Sequence, residues 1–120
     1  MSCEIIEHIW SRKVGAFGKS LVFALVTDGA LVPLASLTSV SVKFRKRTEP
    51  RSSGVAGQGT LEAYADPAGL YNVRYLWSDD DPDEPGTYLV EVDALNGDGD
   101  PVSFPDSGEH MLIRIVEDVA

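Results

Sequence analysis

The sequence is poor in cysteine and in basic residues, and it contains no long apolar run. Its single cysteine, Cys3, excludes an internal disulfide framework, so we expect a chain that is made and folded in a cytoplasm. Ten lysine and arginine residues stand against 19 aspartate and glutamate residues, a formal net charge of -9, which disfavours nucleic acid and anionic membranes as partners. No run approaches the roughly 18 apolar residues of a membrane helix, and the first residues lack the basic and apolar regions of a signal peptide.

Helical periodicity with caps is also absent, whereas apolar residues alternate with polar ones in several short segments, for example over residues 40–45 and 71–77. Residues 21–26 are continuously apolar, as in a strand buried on both faces. Turn residues separate the segments, which predicts an all-β antiparallel β-sandwich of about seven strands in one domain, 1–120. The predicted strands lie near 4–10, 20–27, 38–47, 55–64, 70–77, 86–95 and 109–117.

Strand alternation also predicts which side chains face the core, because a shift of one residue would turn each apolar set to water. The residues expected to face inward are Leu21, Phe23, Leu25, Val40, Val42, Phe44, Val73, Tyr75, Trp77, Tyr88, Val90, Val92, Ile113 and Ile115.

Residues 84–88 are similar to the start of the sixth strand of immunoglobulin-like domains. There, a glycine turn is followed two residues later by a tyrosine whose hydroxyl bonds back across the corner. The resemblance implies an immunoglobulin-like sandwich with structural roles for Gly86 and Tyr88. Val90 stands where antibody domains carry a cysteine, so no cross-sheet disulfide is expected, and Trp77 is a structural residue other than their third-strand tryptophan.

A second resemblance covers residues 19–116. The resemblance rests on five segments in a fixed order along the chain. They are the apolar strand before Asp28-Gly29, the strand 40–45 that ends in basic residues, the turn 66–69 before the strand 73–77, the acidic stretch 78–83, and the segment from Phe104-Pro105 to the Gly108 turn. In this order they resemble the N-terminal domain of phage baseplate upper proteins and related phage immunoglobulin-like domains. The resemblance implies a structural subunit of a bacteriophage virion, made in the host cytoplasm and placed in the tail or baseplate. Since no receptor-binding region follows residue 120, a head decoration or head–tail connector protein stays open as the alternative.

Two segments are candidates for Ca²⁺ because they are rich in oxygen ligands, which this cation prefers. The first holds Asp79, Asp81 and Asp83, and it is more typical of a solvated loop. The second holds Asn96, Asp98 and Asp100, but Pro101 and Ser107 stand where a Ca²⁺ loop of the EF-hand type needs glycine and glutamate. We therefore expect no bound metal and no cofactor.

Spacings typical of catalytic or phosphate-binding sites, such as GxSxG, HExxH, CxxC and the P-loop, do not occur. His8 and His110 are the only histidines, and Cys3 is interpreted as an incidental thiol near the chain end. The sequence therefore predicts a protein without enzymatic activity. A host-surface glycan-binding module is the alternative of another class, with Trp10 and Phe17 as its candidate exposed aromatics.

Charge is distributed unevenly along the chain, with a net charge of +4 over residues 1–60 and -13 over residues 61–120. Half of the ten basic residues lie between residues 43 and 51, and strand alternation places Lys43, Arg45 and Arg47 on one outward face. We expect this segment to contact an acidic surface of another virion protein or of another copy. An acidic surface that only serves solubility is the alternative. The candidate interface residues are Lys43, Arg45, Arg47, Arg51, Asp79, Asp80, Asp81 and Asp83.

Overall fold

The computed structural model describes residues 2–7, 9–106 and 110–117, apart from the side chains of Ile9 and Arg51. These residues form eleven strand segments and two single-turn 3-10 helices, η1 (Leu34–Ser36) and η2 (Arg51–Ser53). The strands are β1 (Cys3–Ile6), β2 (Ile9–Lys13), β3 (Leu21–Thr27), β4 (Ala30–Leu31), β5 (Thr38–Lys46), β6 (Val55–Ala56), β7 (Thr60–Ala63), β8 (Val73–Leu76), β9 (Gly86–Leu95), β10 (Pro101–Phe104) and β11 (Met111–Val116). Within the described part of the chain, no helix is long and apolar enough to cross a membrane.

Two sheets pack against each other around one apolar core, which confirms the predicted all-β sandwich. The first sheet has the order β1-β3-β8-β7, with β4 also paired to β3. The second has the order β2-β11-β9-β5-β6, with β10 also paired to β9. All strand pairs are antiparallel except β2 and β11, which are parallel.

Two predicted strands are each divided between the two sheets, and this corrects their prediction as single strands. The predicted strand 4–10 is β1 in the first sheet and β2 in the second, and the predicted strand 55–64 is β6 in the second and β7 in the first. Alternation indicates which residues face a core, but it does not indicate to which sheet a strand belongs. The short strands β4 and β10 were not predicted, and residue 109 of the predicted last strand lies outside the described residues.

Glycine allows the crossing from β6 to β7, because the chain there passes directly against the core. A Cβ on Gly57 would lie 2.9 Å from Cε2 of Phe44, and one on Gly59 would lie 2.8 Å from Cζ of Tyr75. Real Cβ atoms are essentially never found this close to a neighbour. The crossing therefore requires residues without a side chain at both positions.

The predicted core is buried with one exception, Val40, which is half-buried at its margin. Residues 21–26 are also buried apart from the half-buried Val22, in agreement with their continuous apolar run. The free thiol of Cys3 is buried in β1, and the N–H of this residue donates to Oδ2 of Asp106 at 3.0 Å. Further buried residues that alternation did not single out are Ile5, Leu37, Ala94, Phe104 and Met111.

Aromatic rings fill one end of this core. Trp77 stacks on Trp10 with ring centroids 5.6 Å apart and on Phe44 at 5.2 Å, and it meets the edge of Tyr75 at 5.2 Å. Trp77 follows β8, so this stack closes the sandwich beneath the loop that leads to β9. That loop, residues 77–85, contains the acidic stretch singled out in the sequence.

Candidate functional site

Asp81 lies inside the protein rather than on the predicted interface. It is only 5% exposed. Its Oδ2 accepts hydrogen bonds from the Tyr75 hydroxyl at 2.7 Å and the Ser78 N–H at 2.9 Å, and its Oδ1 accepts one from the Gln58 N–H at 2.6 Å. Burial and the bond to Asp81 raise the pKa of Tyr75, so its hydroxyl stays protonated and donates. Asp81 therefore holds the 77–85 loop against the crossing at 57–59, which corrects its prediction as a contact or Ca²⁺ residue.

Asp83 is likewise used within the chain, as the partner of a buried arginine. The Arg12 side chain is fully buried, and its Nη1 lies 2.6 Å from Oδ1 of Asp83. Its Nη2 donates to the Pro82 carbonyl, and its guanidinium lies 4.7 Å from the centroid of the Phe17 ring. The Gly15 N–H donates to Asp83 at 2.9 Å, so the carboxylate joins the loop after β2 to the loop before β9.

The charge on Asp83 is stabilised by this arrangement. Burial by itself raises the pKa of the carboxyl, but the hydrogen bonds from Arg12 and Gly15 outweigh it, and the pKa is lowered. Sequence reasoning missed Arg12, because arginine is seldom buried and no local pattern marks it. Of the four acidic residues predicted to form contacts, only Asp79 and Asp80 are exposed.

The second Ca²⁺ candidate is the turn between β9 and β10. Oδ1 of Asn96 accepts the N–H groups of Asp98 at 2.9 Å and Asp100 at 3.0 Å, so the side chain closes the turn on itself. Among the described residues, no group of three or more histidine, cysteine, aspartate or glutamate side chains is arranged to hold a metal ion. The absence of a bound metal remains a prediction.

The basic segment reaches the surface, but several of its charges have partners in the same chain. The Lys43 ammonium lies 2.9 Å from Asp93, and Nη1 of the half-buried Arg45 donates to the Glu49 carbonyl at 2.8 Å. Arg47 is exposed, and its side chain has no hydrogen-bond or ion-pair partner among the described residues. The side chain of Arg51 lies outside the described part of the structure.

The acidic loop and the basic segment meet within one chain, which the sequence did not indicate. Lys46 Nζ lies 2.9 Å from Glu84, and this contact raises the pKa of the lysine. The Arg47 N–H donates to the Thr87 carbonyl at 2.9 Å. These two segments therefore lie at the same end of the sandwich, and part of their predicted complementarity is satisfied without a second copy.

The outward side of β5 and β9 carries the clearest charge pattern of the described surface. In register, Lys43 is opposite Glu91 and Arg45 is opposite Leu89, with Asp93 two residues further along β9. We call these five residues the charged face. Burial by itself raises the pKa of Asp93, but hydrogen bonds from Ser103 and Lys43 outweigh it and lower the pKa, so the carboxylate stays ionised.

A groove of about 380 Å³ runs over part of the charged face, since Lys43, Glu91 and Asp93 line it. Ser52, Gly54 and residues 101–103 line it as well. The half-buried His110 lines a smaller depression next to Leu89 and Glu91, whereas His8 lies outside the described residues. A sheet face that carries charges of both signs is suited to contacts with another protein surface.

The two aromatics proposed for glycan binding are only partly exposed. Trp10 and Phe17 are half-buried; the first stacks on Trp77 and the second lies against Arg12. None of the ten aromatic side chains is exposed. The glycan-binding alternative stays a prediction.

Tyr88 makes a hydrogen bond of the kind that the immunoglobulin resemblance implies. Tyr88 is 4% exposed, and its hydroxyl donates to the Glu84 carbonyl at 2.8 Å. Gly86 has φ of 156°, a backbone conformation that residues with side chains rarely adopt.

Comparison with protein-family models and with curated proteins finds no match to this chain.

Proposed function

We propose that this chain is a non-enzymatic structural domain of a bacteriophage particle, of the tail or baseplate type, which works through protein contacts on its surface. The observation that carries the contact function is the charged face, because it combines charges of both signs on the outward side of two paired strands. Charged groups that lie inside the protein have another use, since Arg12 and Asp81 hold loops together. The surface charges are the ones that a partner protein can reach, although several of them also pair within the chain.

The proposal includes an immunoglobulin-like arrangement of the sandwich. In such domains the first, second, fifth and fourth strands form one sheet, and the third, sixth and seventh form the other. The order β1-β3-β8-β7 corresponds to the first sheet if β3 is the second strand, β7 the fourth and β8 the fifth. The neighbours β5, β9 and β11 correspond to the second sheet, and the hydrogen bond of Tyr88 supports the same assignment.

The phage assignment itself rests on the resemblance over residues 19–116. Its direct test is mass spectrometry and imaging of purified particles of the phage that encodes this chain. We expect a fixed copy number per particle and labelling of the tail tip by antibodies against the domain. Labelling of the head or neck would favour the decoration or connector alternative, and particles free of the chain would overturn the proposal.

The role of the basic segment has a test of its own. Because Arg47 is exposed and Arg45 is partly so, reversing both charges to glutamate should leave the isolated domain folded and reduce its incorporation into particles. Glu4→Lys is the charge-reversal control, since Glu4 is exposed on β1 in the other sheet. Equal incorporation of the double variant and the control would contradict a contact at this segment.

A further inference from the structure

Two neighbouring strands of the second sheet present opposite charges to the same side. The outward residues of β5 include Lys43 and Arg45, and those of β9 include Glu91 and Asp93. Neighbouring strands lie roughly 4.7–4.9 Å apart. A basic row therefore runs directly beside an acidic row, with Leu89 in the acidic row at the level of Arg45.

Such a pair of rows is complementary to itself. Consider a two-fold axis that lies above the charged face, parallel to the strands and midway between β5 and β9. It places β5 of one copy over β9 of a second copy, at the same level along the strands. Since Lys43 is in register with Glu91, Lys43 of each copy would then face Glu91 of the other. Arg45 would extend over Leu89 of the other copy, where its aliphatic stem can pack on an apolar side chain.

We propose that the charged face binds the charged face of a second copy in a symmetric dimer. Every contact of such an isologous interface occurs twice, so one favourable pair counts for two. Stacked sheets cross at about 30° because of their twist, which keeps these central pairs close while the outer parts diverge. The inference does not rest on the virion assignment, since the same contact would form in any setting.

The ion pair within the chain is compatible with this contact. Lys43 lies 2.9 Å from Asp93, and its side chain is 45% exposed, so the ammonium remains accessible to a second carboxylate. The Asp93 carboxylate is held by Ser103 at 2.7 Å, which fixes the acidic row in place.

Charge reversal in two separate variants tests the proposal. Lys43→Glu alone places two glutamates opposite each other at both symmetric positions, and Glu91→Lys alone places two lysines there. Like charges in contact are strongly unfavourable, so we expect each variant to dimerise roughly a hundredfold more weakly than the natural chain. An equimolar mixture of the two variants restores opposite charges at both positions, and we expect it to form a one-to-one heterodimer.

Sedimentation velocity over a concentration series, at about 0.15 M salt, measures all of these species. At that ionic strength the Debye length is about 8 Å, so the repulsion between two chains of net charge -9 is screened while direct pairs persist. Glu4→Lys is the matched control, because Glu4 is exposed on the outer side of the other sheet; it should leave dimerisation unchanged. A monomeric natural chain at millimolar concentration, or a mixture that associates no better than its components, would overturn the proposal. Circular dichroism shows whether each variant is folded, because the mixture is informative only when both of its chains are folded. If a charge-reversal variant does not fold, Lys43→Gln or Glu91→Gln replaces it. Each of these should weaken the dimer about tenfold, and unchanged dimerisation would equally overturn the proposal.

Discussion

Replacing Asp83 by asparagine should destabilise the fold by breaking a buried ion pair. The substitution keeps the shape of the side chain but leaves the fully buried guanidinium of Arg12 without a counter-charge. Breaking a buried ion pair by removing one partner typically costs about 3–5 kcal/mol. The Asp83 side chain is 32% exposed, so water can replace part of the lost contact, and we expect about 2–4 kcal/mol.

Urea unfolding followed by tryptophan fluorescence measures this loss, because Trp10 and Trp77 stack beside the Arg12 site. With a urea dependence of about 1–3 kcal/mol per molar, the midpoint should fall by about 1–2 M. Asp79→Asn is the control, since Asp79 is exposed in the same loop. If both variants unfold at the same urea concentration, the argument for a buried ion pair is refuted.

The same ion pair gives the stability a defined dependence on pH. The pKa of Asp83 is lowered in the folded state relative to its usual value near 3.9. Its stabilising contribution is therefore complete above that value and is lost as the pH falls through the folded-state pKa. We expect the Asp83→Asn variant to lose less stability than the natural chain between about pH 5 and pH 2. A residual loss should remain, because the pKa values of Asp66 and Asp93 are lowered as well.

Two further substitutions test the remaining contacts of this end of the sandwich. Tyr88→Phe removes the hydroxyl that donates to the Glu84 carbonyl, and it should cost about 1–2 kcal/mol in thermal or urea unfolding; an unchanged midpoint would mean that the bond contributes nothing. Gly59→Ala should cost about 1–3 kcal/mol or more, because its Cβ would collide with the Leu76 carbonyl, which belongs to the backbone and cannot rotate away. Gly97→Ala has open space and is the control, so equal midpoints for the two alanine variants would contradict the close crossing.

Much of the core followed from local pattern. In β9, which the sequence predicted at its observed bounds, strict alternation over Tyr88, Val90 and Val92 fixes the inward face, because a strand turns successive side chains to opposite sides. The hydrogen bond of the Tyr88 hydroxyl was expected from the resemblance of residues 84–88 to immunoglobulin-like domains rather than from strand alternation.

The roles of the charged residues did not follow from local pattern. Asp79 and Asp81 are near neighbours in one acidic stretch, yet the first is exposed and the second accepts three hydrogen bonds from groups that lie 3 to 23 residues away along the chain. Likewise, Lys43 and Asp93 are 50 positions apart and meet only because β5 pairs with β9.

The sequence by itself thus determined the strands that alternate, their inward faces and the all-β class, since each depends on residues within one segment. Only the tertiary structure decided which sheet receives β1, β2, β6 and β7, and that Arg12 and Asp83 form a buried pair. The physical reason is that a charge is tolerated inside a protein when a partner from another segment is brought to it. Its burial is therefore a property of the packed chain and not of the residues beside it in sequence.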